Sequence, residues 1–238
     1  MAELKKLVQK ELPEVETNET PRIKIGVESL SDMIFGLALS IGAIFLIGNN
    51  STDPKVVLSN LIAFCFSFLI LVIIWVRYKR TVSVLRVETG LMLELNIAML
   101  FFVAIEPYLF NLLAAGASLS LFWLGKAQPQ FSVYTVELYA IDTGSIYLIL
   151  GILTCVVLRE HRLKRIETLH PRIIRSFKQS MYTQLITCSI FLISAFPIFW
   201  TYHIPNLPRI PVGLVLWALS FVASFISRIV CIVSRTNK

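Results

Sequence analysis

Two carboxylates stand where carboxylates are rare. Asp32 lies in the apolar run Ser29-Leu30-Ser31-Asp32-Met33-Ile34-Phe35, and Asp142 precedes Thr143, Gly144 and Ser145 inside another. A charge within a bilayer-spanning stretch costs free energy, so it marks an ion path, a proton relay or an assembly contact. With Ile25 at the inner boundary, a rise of about 1.5 Å per residue puts Asp32 roughly 10 Å deep. Two readings are open there: an ion-path or assembly residue, or a carboxylate paired with a buried donor. For Asp142 they are a proton path or interhelical hydrogen bonding. Asn96 and Trp75 carry an amide and an indole inside apolar runs, groups that usually find a structural partner.

Other chemistry is poorly supplied. His161, His170 and His203 all fall in connections, so no intramembrane nucleophile–histidine or histidine–metal pair is expected. HExxH, GxSxG, glycine-rich phosphate loops and a TVGYG filter are all missing from the sequence. Cys65, Cys155, Cys188 and Cys231 lie singly in apolar stretches, which suits reduced, buried thiols better than disulfides or zinc. The expectation is no enzyme: no catalytic residue, no metal ligand and no cofactor.

The elements that must position these residues are membrane spans. The chain is 56% hydrophobic and 16% charged, with a mean hydropathy of +0.73, whereas soluble domains carry about a quarter charged residues. A helix crosses about 30 Å of hydrocarbon with roughly twenty apolar residues. Six stretches qualify: Ile25–Ile47, Val57–Val76, Leu91–Leu113, Val133–Leu158, Met181–Trp200 and Val212–Val233. Backbone groups in lipid must pair within their own segment, so an all-α bundle of six transmembrane helices is predicted. Residues 1–22 read as a cytoplasmic tail and 23–235 as the transmembrane domain. Of 22 lysines and arginines, nineteen fall in the N-terminal tail, the second and fourth connections and the C-terminal end; only Lys55, Lys126 and Arg209 fall on the other side. That alternation places both termini in the cytoplasm. The same placement assigns the net charge of +7 to topology rather than to nucleic acid. The basic fourth connection, Arg159 to Lys178, either meets anionic head groups or acts only as a topology determinant, with helix ends extending into the cytoplasm.

The first span has a second feature. Gly36, Ala38, Ser40, Gly42 and Ala43 recur among its leucines and isoleucines, which suits close helix packing. Alternatively, Leu37, Ser40, Ile41 and Ile44 follow i, i+3, i+4, i+7 spacing and share one face. A ring of such leucines and isoleucines around a pore gates ions by dewetting.

These residues resemble the transmembrane protein 175 family of potassium channels, whose first helix opens with Phe-Ser-Asp; here Leu30-Ser31-Asp32 stands in its place. Ser67-Phe68 followed by Trp75 resembles the second helix, Asn96 to Pro107 the third, and Tyr139-Ala140 the fourth. The resemblance covers most of residues 25–158. It implies a single-repeat chain of the prokaryotic kind, assembling as a homotetramer around a pore lined by the first helix. Leu37, five residues after the aspartate, matches the family's hydrophobic gate. Ser40 matches a threonine layer, and Ile44 a further apolar ring. The family's arginine six residues before the aspartate is Gly26 here, and its second-helix histidine is Tyr78. The expectation is a leaky, weakly potassium-selective cation channel of the cell membrane. Leu37, Ile41 and Ile44 form its constriction and Ser40 a polar ring, while Ser31, Asp32, Trp75 and Asn96 hold the first helix in place. Two other classes compete: a small proton- or cation-coupled transporter using Asp32 and Asp142 as relays, and a non-conducting scaffold.

Overall fold

The computed structural model describes residues 16–48, 54–84, 90–117, 133–163, 171–201, 203–204, 207–213, 215–220 and 222. Five long helices carry the fold: α1 (Glu16–Gly48), α2 (Pro54–Val82), α3 (Gly90–Ala117), α4 (Val133–Arg162) and α5 (Pro171–Ser194). A single turn, α6 (Ile198–Thr201), follows, and then a small antiparallel hairpin of β1 (His203–Ile204) and β2 (Leu207–Pro211). Described positions 212, 213, 215–220 and 222 are helical again, at the start of the sixth expected span; the rest of that span and the first fifteen residues of the tail lie outside the described residues.

Local sequence explains the helix ends. Proline opens both α2 and α5, at the position where its missing N–H would be unpaired anyway. Basic residues close α2 (Lys79, Arg80) and α4 (Arg159, His161, Arg162), opposite the negative end of each helix dipole. The predicted fifth span, Met181–Trp200, is corrected at its C-terminal end, while its start is preceded by a helix extension of the kind expected for the basic fourth connection. Its helix starts ten residues earlier, at Pro171, and stops at Ser194. Pro197 has no N–H to continue the ladder, and Ser194 turns its own Oγ back onto the Phe191 carbonyl at 2.7 Å. The chain then bends, and Phe199 and Trp200 donate backbone N–H groups to Phe196 and Pro197.

Among the described residues, three helical stretches are long and apolar enough to cross a membrane: Gly26–Ile44, Leu91–Leu113 and Tyr134–Arg162. The last belongs to α4, the centre of the bundle, packed against α3 on one side and α5 on the other. Its Val136, Tyr139, Ala140, Ile146, Leu150, Leu153 and Val157 are all essentially inaccessible. Two glycines set the α4–α5 spacing: a methyl on Gly144 would sit 3.0 Å from Leu192 Cδ2, and one on Gly151 would sit 3.4 Å from Leu185 Cδ2. Thr154 Oγ1 also donates across this seam to Gln184 Oε1 at 3.0 Å. At one end of α4, an aromatic cluster of Tyr139, Phe191, Trp200 and Trp217 closes the bundle. Both indoles there donate to Ser194, Trp200 to its carbonyl and Trp217 to its hydroxyl, each at 2.7 Å.

Candidate pore-lining helix and its anchor

The first helix is two-faced. Ser31, Phe35 and Ala38 recur at i, i+4 and i+7 and are buried, pressed toward α2 and α3. Almost opposite, Met33, Leu37 and Ile44 are 69%, 59% and 64% exposed, and Gly36 and Ser40 are exposed between them. At about 100° per residue, Met33, Leu37, Ser40 and Ile44 form one narrow stripe, whereas Ile41 falls roughly 70° to its side. Ile41 is accordingly half-buried. The fold therefore brings Leu37, Ser40 and Ile44 together and sets Ile41 at their edge. Ser40 Oγ donates to the Gly36 carbonyl at 2.8 Å, which occupies its proton and leaves its lone pairs outward. Such an oxygen can accept from water or contact a cation.

At the edge of the buried face, an exposed polar anchor holds α1 to α2. Asp32 Oδ1 accepts from Trp75 Nε1 at 3.0 Å, and Asp32 Oδ2 lies 2.7 Å from Lys79 Nζ. Trp75 and Lys79 are one helical turn apart on α2, so a single carboxylate reads two successive positions on one face. Beside this anchor is an open recess of about 530 Å³ lined by Glu28, Ser29, Asp32, Met33 and Lys79. Ser31 turns inward and donates to the Glu28 carbonyl at 2.7 Å. The Tyr78 ring, wholly buried, stacks at a tilt 5.9 Å from Phe35, with Ser31 and Asn96 the polar side chains beside its hydroxyl. Asn96 is also buried. Ser31, Asp32, Trp75 and Asn96 thus gather at one end of the α1–α2–α3 contact. Lys79, expected only as a topology charge, is the residue missed there. Its place one turn after Trp75 is in the sequence, but nothing along α2 says that it meets Asp32.

A second polar group lies deeper. Glu106 on α3 is fully buried. It accepts from Ser67 Oγ of α2 at 3.2 and 3.4 Å, and from the Tyr139 hydroxyl of α4 at 3.3 Å. Asp142, one turn after Tyr139, is also buried and within electrostatic reach of Glu106. The interhelical bonding expected of Asp142 is made instead by Glu106; Asp142 Oδ2 has no hydrogen-bond partner. Arg77 reaches α4 elsewhere, with its guanidinium 5.8 Å from the centre of the Tyr147 ring. Among the described residues, no group of three or more His, Cys, Asp or Glu is placed to hold a metal ion.

Comparison with known proteins bears on both features. The family model of the endosomal/lysosomal potassium channel TMEM175 matches residues 27–107, which run from α1 through Glu106 and Pro107 on α3. Among solved structures, the chain is similar to a variant of the potassium channel MtTMEM175, crystallised with a nanobody–MBP fusion protein. The match has a TM-score of 0.52 and 18% identity, and covers 89% of this chain and 91% of that one. The two chains share a fold over nearly their whole lengths. No curated protein matches this chain.

Proposed function

We propose that this chain is one subunit of a potassium-permeable cation channel of the cell membrane, weakly selective and leak-type. Six spans with both termini cytoplasmic complete each subunit, from residue 23 to 235, after a tail of residues 1–22. Four copies surround a pore lined by α1. The observation that carries this reading is the stripe of Met33, Leu37, Ser40 and Ile44. It is exposed on a helix whose flank is anchored through Asp32, Trp75 and Lys79 and whose opposite face is buried, inside the stretch matched by a potassium-channel family model.

The chemistry follows from that stripe. Rings of Leu37 and Ile44 make a narrow, apolar passage in which water is unstable, so ions cross only when the passage wets. Ile41, at the edge of the stripe, packs between neighbouring first helices and sets the width. Between the apolar rings, Ser40 oxygens replace part of a cation's hydration shell. A serine ring of this kind is flexible, which fits weak discrimination between potassium and sodium. Asp32 works through position, fixing the rotation of α1. The competing relay from Asp32 to Asp142 has less support. Asp32 is bound to Lys79 and Trp75 of α2, whereas Asp142 sits in the bundle beside Glu106.

Current across a planar bilayer tests the proposal, with purified protein inserted and potassium and sodium on opposite sides. Unitary steps with a reversal potential displaced toward potassium are expected. A silent bilayer containing folded, inserted protein would overturn the channel reading.

A further inference from the structure

Glu106 and Asp142 bear on a question the pore does not answer: what neutralises two acids buried inside the wall of the subunit. Glu106 is 0% and Asp142 4% exposed. Ser67 on α2 and Tyr139 and Asp142 on α4 are the polar and titratable groups that act on Glu106. Among the described residues, no lysine, arginine or histidine of any packed helix does so. Arg77, the cation of α2 nearest Ser67 in its second half, is ten residues along the helix from it and faces Tyr147.

The hydrogen bonds give a second, independent indication. A hydroxyl donating to a carboxylate anion closes to about 2.5–2.7 Å, yet all three contacts to Glu106 measure 3.2 to 3.4 Å. They are longer than ordinary O–H···O bonds, too long to compensate a buried anion. Two further buried oxygens face this region without a partner, Asp142 Oδ2 and Thr143 Oγ1, the latter fully buried beside the Tyr139 side chain. An isolated buried charge is so costly that such a group binds a proton instead, and two carboxyls sharing a site cannot both ionise without a counter-charge.

We propose that Glu106 and Asp142 form a proton-binding site in the interior of each subunit, with Ser67, Tyr139 and Thr143 as its polar wall. The bound species is a proton taken from water by one carboxylate to give a carboxylic acid; nothing is oxidised or transferred besides. Glu106, the more deeply buried of the two, carries it, and the nearby Asp142 disfavours the charge on Glu106. Counted from the helix ends away from the basic connections, Ser67, Glu106 and Asp142 lie roughly 14–20 Å inside the bundle, at similar levels. The site is separate from the α1 stripe, but α3 carries Glu106 and also packs on α1. Its occupancy therefore bears on the support of the pore helix. A proton held when folded and released when unfolded makes folding weaken as pH rises.

Infrared difference spectroscopy of the full-length protein in lipid nanodiscs tests this without reference to conduction. At neutral pH the wild type is expected to show the carbonyl stretch of a protonated carboxylic acid, sensitive to deuterium exchange. That band should move to lower frequency when glutamate is labelled with carbon-13, and should disappear in the Glu106→Gln, Asp142→Asn double variant. The variant should also lose the fall in melting temperature that the wild type shows toward alkaline pH. Absence of the band in folded wild type, or its survival in the double variant, would overturn the proposal. So would a band that appears in choline buffer and vanishes on adding sodium or potassium, since that assigns the site to a monovalent cation. If the double variant does not fold, the isotope shift in the wild type decides alone.

Discussion

Leu37 and Ser40 sit one turn apart on the same exposed stripe of α1 and act on a cation in opposite ways. The leucine offers nothing to replace lost hydration, and the serine offers an oxygen. Exchanging Leu37 for asparagine keeps the size and adds two polar atoms, so the apolar ring should wet. Unitary current through Leu37→Asn is expected to rise several-fold above wild type, read in the same planar bilayers. Unchanged current would remove Leu37 as the constriction. Asp32 acts through its partners. Trp75→Phe deletes the indole N–H that lies 3.0 Å from Asp32 but preserves an aromatic body. The loss should be about 1 kcal/mol per subunit, the usual worth of a hydrogen bond to a charged group less what water recovers. Asp32→Asn keeps an acceptor for Trp75 and loses the attraction to Lys79, a half-exposed pair worth at most about 1 kcal/mol. Melting of the detergent-solubilised protein should order the two single variants close together. Their double variant should lose less than the sum, because they share one anchor. Strict additivity would mean that the anchor is not a unit.

At the scale of elements, the seam between α4 and α5 is the most demanding contact in the bundle. Leu192 is already 3.0 Å from where a Gly144 side chain would begin. Gly144→Leu must push the helices apart, and overpacking of this sort costs about 1–3 kcal/mol. A lowered melting temperature with the Leu37→Asn current phenotype unaltered in the survivors is expected; a melting temperature equal to wild type would mean that the seam is loose. Hydropathy made α1, α3 and α4 legible, because each carries a run long and apolar enough to cross a membrane despite its few carboxylates. The same averaging hid the break in the fifth span. Pro197 stands in plain sight, but a window of twenty residues smooths over a proline whose effect is one missing N–H. The stripe on α1 was legible because periodicity alone decides which residues share a face. The partners of that helix were not. Lys79 meeting Asp32 and Glu106 meeting Tyr139 depend on how two helices are rotated against each other, and no spacing within one helix contains that. Asp142 read as a lone carboxylate for the same reason: its neighbour Glu106 is on another helix.

The whole molecule poses the question of what covers the α1 stripe. Met33, Leu37 and Ile44 are exposed in one subunit, and lipid would cover them as readily as a pore would. The two cases differ in symmetry. Around a closed ring, the same residue of every copy returns to one axis, and at a constriction those copies approach within disulfide range, Cα atoms about 4.4–6.8 Å apart. In lipid, equivalent residues of different copies never meet in register. In a background lacking the native cysteines, Leu37→Cys is therefore expected to crosslink under mild oxidant into dimers of subunits, and to lose current on treatment with a thiol reagent. Ile186→Cys serves as the control. Ile186 is 54% exposed on α5, and α5 packs mainly on α4 rather than on α1, so cysteine there should neither crosslink nor affect current. Crosslinking at 186 with none at 37 would place the axis against α5 and return the α1 stripe to lipid. Crosslinking at 37 with silence at 186 would make the aromatic-capped side of the bundle, with Trp200 and Trp217, the outer wall. The polar pair of Glu106 and Asp142 would then stand between that wall and the conduction path, in the layer that every movement of α1 must push against.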